Sequence, residues 1–282
     1  LPVLLATIAA SGLFAKGFIS KADIEAFVRR GCGICELTKM KTPPFRRIND
    51  KPVLPPLGKY WVFDVMFLKC PSVPFGFKLV IRFVNVSLAK KPYKRSYGML
   101  NYAEESVQRA IGMLRAWVRP IHGEIEMTKA DSHASHPGKA RGITDYYADA
   151  MMKWMLSAPY CHQGVGEVEA TFGHDVPSTL ALLRGCPSHG GDAHAYTAFL
   201  TVEFLKNEAV NPRDAEPLSP AMVFHGRKTV DVRVMFAYGA PGKALEHLEV
   251  RDSKWSDHAW PMSYRGPSRE NESPNYCWVF VP

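Results

Sequence analysis

A change of period constrains this chain more than any other feature. Residues 60–68 form a β-prone run, and in residues 77–86 Phe77, Leu79, Ile81 and Phe83 alternate with Lys78, Val80, Arg82 and Val84. Such runs predict adjacent antiparallel strands. A third short strand is expected over 95–100. The spacing then turns helical, with Val107, Ile111, Leu114 and Val118 sharing one face over 104–119. A strand over 124–130 ends at Asp131. The next helix puts Tyr147, Met151 and Trp154 or Met155 on one face, and a short extended piece follows at 157–160. Helices over about 164–183 and 193–206 complete the pattern. The order β-β-β-α-β-α-β-α predicts an α/β architecture, a mixed sheet flanked by helices. Beyond Pro220, β-prone pieces at 230–238, around 258–264 and at 276–281 are separated by Gly, Pro and Ser clusters and predict a small β-rich unit.

With 282 residues, 46% of them hydrophobic, the chain has enough apolar material for a substantial core. Its net charge of +8 favours an anionic partner such as nucleic acid. Six cysteines are too few and too scattered for a disulfide scaffold, and the pair Cys32-Gly33-Ile34-Cys35 suits a metal or redox role in a reducing, intracellular compartment. No run approaches about twenty uninterrupted apolar residues, so no membrane span is expected. Residues 1–31 read as helical, with Ser20 as N-cap and Asp23 and Glu25 in the first turn. The start at Leu1 rather than Met suggests a piece of a longer protein. Residues 38–56 are rich in Lys, Arg and Pro and read as an extended linker. Three segments are therefore expected: 1–56, 57–210 and 211–282.

Three carboxylates stand out. Asp64 lies in the middle of Trp61-Val62-Phe63-Asp64-Val65-Met66, where a charge among apolar neighbours is costly without a cation or a partner. Asp131 ends a strand and Glu167 opens a helix, with Glu169 two residues further on as the alternative acid. Two-metal phosphoryl transfer needs acids that converge on cations about 4 Å apart, and a strand middle, a strand end and a helix can supply them. His133, His136 and His162 read as solvated loop histidines. Lys90, Lys91, Lys94, Arg95, Lys139 and Arg141 suit either phosphate contacts or a plain solvated surface. Trp117, Trp154 and Tyr147 sit at core spacing.

In order along the chain, these blocks resemble the integrase of copia-type LTR retrotransposons, within the retroviral integrase superfamily. Cys32-Gly33-Ile34-Cys35-Glu36-Leu37-Thr38-Lys39-Met40-Lys41 is similar to the second half of that family's His-His-Cys-Cys zinc module. Trp61 to Met66 resembles the strand with the first catalytic Asp, and Lys129-Ala130-Asp131-Ser132 stands where the second lies. Ser157-Ala158-Pro159-Tyr160 and Gln163-Gly164-Val165-Gly166-Glu167 resemble the approach to the catalytic Glu. Leu218-Ser219-Pro220-Ala221-Met222-Val223-Phe224-His225-Gly226-Arg227-Lys228 is similar to the segment after the core.

The resemblance implies an RNase H-like core at 57–210, a mixed five-stranded sheet flanked by helices, and a polynucleotidyl transferase. Such an enzyme trims the 3′ ends of element DNA and joins them to target DNA, with Asp64, Asp131 and Glu167 holding Mg²⁺ or Mn²⁺. It further implies double-stranded DNA as partner, a homo-oligomer, and residence in the nucleus or a virus-like particle. Cys32 and Cys35 would supply half of a Zn²⁺ site, and this sequence has no His before His122 to complete it. Two departures are plain. Asp131-Ser132-His133-Ala134-Ser135-His136 replaces the family's glycine turn after the second Asp. The helix after Glu167 carries Glu169 and Asp175 where the family has cationic and amide side chains, and those acids are expected to repel phosphate. A catalytically inactive relic that binds nucleic acid or protein is the alternative, and a structure-specific nuclease is a third reading.

Overall fold

The computed structural model describes residues 55–86, 91–130, 141–156, 166–185, 191–210 and 217–226, together with three strands nearer the C-terminus whose side chains are not described. The expectations for residues 1–31, the 38–54 linker and the 230–238 strand lie outside the described residues.

β1 (Tyr60–Phe67), β2 (Leu79–Asn85) and β3 (Tyr93–Met99) form an antiparallel meander, as the alternating runs predict. Helix α1 (Glu104–His122) follows, with Glu104 and Glu105 in its first turn and Arg119 and His122 in its last, the distribution that the helix dipole favours. It runs three residues past the expected end. Gly123, at φ 76°, closes it by donating its N–H to the Arg119 carbonyl at 3.0 Å.

The chain then crosses to β4 (Met127–Ala130), parallel to β1. Helix α2 (Arg141–Asp149) leads to β5 (Lys153–Leu156), parallel to β4. The sheet order is β3-β2-β1-β4-β5. Helix α3 (Gly166–Arg184), a 3-10 turn at Gly191–His194, helix α4 (Ala195–Glu208) and the short α5 (Pro220–His225) complete this unit. A mixed five-stranded sheet with this order and helices on both faces is the RNase H-like arrangement.

Both faces of the sheet are covered, so β2 is buried at every position. On one face Trp61, Phe63, Leu79, Ile81 and Phe83 pack against Val107, Ile111, Leu114 and Val118 of α1 and Ile143 and Tyr147 of α2. On the other, Val62 and Val84 meet Val168 of α3, and Val80 meets Tyr196, Phe199 and Leu200 of α4.

One element ends earlier than its periodicity suggests. Tyr147, Met151 and Trp154 do not share a helix face, because α2 stops at Asp149. Met151 adopts φ 50° and is 91% exposed. Trp154 instead reaches the core from β5, its ring 4.6 Å from that of Tyr147 and 5.6 Å from that of Phe63. The fifth strand thus occupies 153–156, and the extended piece expected at 157–160 lies outside the described residues.

Helix α5 was not expected. Its signals are ordinary: the Ser219 hydroxyl accepts the Met222 N–H at 3.0 Å and Pro220 occupies the first turn. Phe224, fully buried, stacks on Tyr93 at 4.4 Å and on Trp117 at 5.3 Å, with Trp61 edge-on at 5.6 Å. Its backbone carbonyl lies 2.7 Å from His122 Nε2. The approach to β1 is pinned at the same place. Gly58 has φ +77°, a Cβ there would sit 2.5 Å from the His122 side chain, and its carbonyl accepts the Trp61 indole N–H at 2.9 Å.

A second, three-stranded antiparallel sheet consists of β6 (Pro241–Leu245), β7 (Ala259–Pro267) and β8 (Cys277–Phe280), in that order. β7 and β8 overlap the pieces expected near 258–264 and 276–281. No helix among the described residues is long and apolar enough to cross a membrane.

Candidate active site

Strand alternation decides which face Asp64 serves. Trp61 and Phe63 belong to the α1 side and Val62 to the α3 side, so Tyr60, Val62, Asp64 and Met66 line the face that α3 and α4 cover. Asp64 is half-buried there, and its Oδ1 accepts the Val65 N–H at 2.7 Å. Its partner across the β1–β2 ladder is Arg82. The charge amid apolar residues therefore has a cationic side chain as its cross-strand neighbour.

β4 ends at Ala130, paired with Phe63 of β1, so this parallel strand finishes beside the residue that precedes Asp64. Asp131 follows Ala130 in sequence and lies outside the described residues, as do Cys32, Cys35, His133, His136 and His162. Glu167 is exposed in the first turn of α3. The next residue, Val168, is buried between Val62 and Val84 and seats that turn over β1 and β2. Burial raises the Tyr60 phenol above its ordinary value, and the Glu167 carboxylate raises it further. Glu169, also exposed, flanks the buried stripe of α3 on its other side.

Sequence reasoning missed what lies beneath these acids. Arg82, on β2, is fully buried and engages three other elements. Its Nε donates to Ser96 Oγ of β3 at 3.1 Å, and one terminal nitrogen lies 2.7 Å from Asp175 and 3.3 Å from Thr171 Oγ1, both on α3. The other terminal nitrogen lies 3.1 Å from Glu203 of α4. Lys94 and Lys206 meet Asp175 at 3.0 and 2.7 Å, and the Ser96 hydroxyl donates to Glu203. Burial alone would raise the Asp175 carboxyl, but Lys94, Arg82 and Lys206 together hold it far below its usual range. Burial depresses the Lys94 ammonium, opposed by Asp175. The carboxylate direction governs, because three cations surround it.

Two expectations change accordingly. Lys94 is buried against Asp175 and does not present its ammonium to a phosphate. Asp175 faces the sheet within this network, so it adds no repulsive charge to the outer surface of α3. Arg95 holds its guanidinium 4.0 Å over the Trp117 ring and donates to the Tyr97 hydroxyl at 2.9 Å. Lys91 is half-buried, and Lys90, Lys139 and the Arg141 side chain lie outside the described residues. The packing expected for Trp117, Trp154 and Tyr147 is observed.

A signal for the network existed. Arg82 alternates with Val80 and Val84 on a strand whose other face is also apolar, and a cation in that position requires a buried partner.

Hard divalent cations take oxygen ligands, and the donors on this face, Asp64 and Glu167, are carboxylates of the right kind. Among the described residues no group of three His, Cys, Asp or Glu side chains could hold a metal ion.

The chain is similar to the catalytic core domain of BIV integrase, at 13% identity and a TM-score of 0.40 over 59% of this chain and 93% of that one. It is also similar to a chain in the structure of the simian T-cell lymphotropic virus intasome in complex with a PP2A regulatory subunit. There the identity is 10% and the TM-score 0.49, over 100% of this chain and 96% of that one. No protein-family model and no curated protein matches it.

Proposed function

We propose that this chain is an integrase-type polynucleotidyl transferase of a copia-type LTR retrotransposon, acting on double-stranded DNA. One observation carries the reading. In an RNase H-like sheet, Asp64 stands in the central strand on the face to which α3 brings Glu167. Asp131, next in sequence after the end of β4, is the third acid of the proposal, and Glu167 is preferred to Glu169 because Gln163-Gly164-Val165-Gly166-Glu167 resembles the approach to the catalytic Glu.

Bound by these carboxylates, Mg²⁺ or Mn²⁺ would supply Lewis-acid activation of the attacking and leaving oxygens. The residues themselves do the positioning. Asp64 is held by a strand paired on both sides, and Val168 fixes the first turn of α3. The net charge of +8 agrees with a polyanionic partner. Integrase function further implies a homo-oligomer and a nuclear or particle-bound setting. A zinc role for Cys32 and Cys35 would need two more ligands.

The test is a Mg²⁺-dependent strand-transfer assay on blunt duplex DNA, comparing the parent with Asp64→Asn. Joined products that vanish in the variant are expected. If the parent gives no Asp64-dependent product, the inactive-relic reading takes over, a reading favoured by Ser132 replacing the glycine turn. Cleavage without joining would identify a nuclease.

A further inference from the structure

The grip of Arg82 on β3, α3 and α4 bears on the geometry of the site above it. Arg82 is the register partner of Asp64, and the α3 residues that its guanidinium reaches stand four and eight positions beyond Glu167. The Thr171 hydroxyl also donates to the carbonyl of Val168, the neighbour of Glu167, at 2.8 Å. We propose that Arg82 is the positioning residue of the site, setting the separation of Asp64 from Glu167 by locking α3 in one register on the sheet.

The inference rests on the reading above in which Asp64 and Glu167 are two of the metal-binding carboxylates, the two-carboxylate reading. A helix advances about 1.5 Å and turns about 100° per residue, so a slip of α3 by one position would rotate Asp175 away from Arg82, which it now meets at 2.7 Å. Metal–ligand distances tolerate only about 0.2 Å, so the site demands a fixed register. The rings of Phe199 and Phe172, 4.2 and 4.9 Å from the guanidinium carbon, further restrict its orientation. A planar fork makes several directed contacts at once, whereas a lysine ammonium offers a compact charge on a flexible stem. The role therefore belongs to arginine in particular, not to a buried cation in general.

Full-length parent, Asp64→Asn and Arg82→Lys are titrated with Mn²⁺, reading both the melting temperature and the paramagnetic resonance signal of free Mn²⁺. A second variant joins Arg82→Met, Lys94→Met, Asp175→Leu and Glu203→Leu, which removes the buried charges of the network together, leaving the partly exposed Lys206, and keeps a folded core available should Arg82→Lys fail to fold. The parent is expected to bind Mn²⁺ through Asp64. Arg82→Lys, or the combined variant in its place, should need at least about tenfold more Mn²⁺ for half-saturation, as loss of outer-shell support does elsewhere. A merely structural role would lower the metal-free melting temperature without moving the half-saturation point. Unchanged Mn²⁺ half-saturation in a folded Arg82 variant overturns the positioning role while leaving the two-carboxylate reading intact. Absence of Asp64-dependent Mn²⁺ binding in the parent overturns that reading and the positioning role with it.

Discussion

Phe224→Ala measures whether the segment after α4 is part of the core. Phe224 has no exposed surface and lies within 6 Å, ring to ring, of Trp61, Tyr93, Trp117 and His122. Truncating a buried phenylalanine to alanine costs roughly 3–5 kcal/mol through lost transfer energy and residual cavity. The upper half of that range applies, because stacked pairs with Tyr93 and Trp117 are lost as well, each worth about 0.5–1.5 kcal/mol. The contact of His122 with the Phe224 backbone carbonyl survives the change and limits collapse of α5 into the gap. A domain of this size loses about 2–4 °C of melting temperature per kcal/mol, so a drop of roughly 8–20 °C is expected. Urea unfolding followed by tryptophan emission is well suited, since two of the flanking rings are indoles. Phe67→Ala, at a 71% exposed position, is the control and should stay within about 0.5 kcal/mol of the parent. A loss below about 1 kcal/mol in Phe224→Ala would refute the docking of α5.

Asp175→Asn strands Arg82, Lys94 and Lys206 without their shared carboxylate and should cost about 3–5 kcal/mol near neutral pH. Because the folded carboxyl is held far below its unfolded value of about 3.9, its contribution is complete above that value and disappears as the pH falls below it. The stability gap between parent and variant, measured by denaturant titration, should narrow progressively as the pH falls below about 4; a constant gap would contradict the ion network. Gly58→Ala forces a side chain into φ +77° and against His122, and should destabilise by roughly 1–3 kcal/mol. An unchanged thermal midpoint would show that the approach to β1 does not depend on this turn.

Helix α1 was legible because it buries one face against the sheet, and burial on one face leaves a period in the sequence; β1 and β2 were legible as β-prone runs, although β2 is buried on both faces. The α2–β5 junction was not, since Tyr147, Met151 and Trp154 have helical spacing although Met151 turns the chain and Trp154 reaches the core from a strand. The short α5 escaped because six residues carry too little periodicity, although Ser219-Pro220 is a good start signal. At the site, Asp64 was legible as a charge in an apolar strand. The partners of Arg82 come from β3, α3 and α4, up to 121 residues away in sequence, and no local pattern records such distances. For that reason Lys94 and Asp175 read as surface charges, yet both are buried.

The strand order also governs which parts can open independently. β1 is flanked by β2 on one side and β4 on the other, whereas β5 is a four-residue edge strand with Met155 and Leu156 partly exposed. Partial unfolding proceeds from weakly buried edges inward. β5 is therefore expected to fray before β1 opens, with its amides exchanging sooner than those around Asp64. The acid at the centre of the site is thus expected to keep its position through openings of that edge.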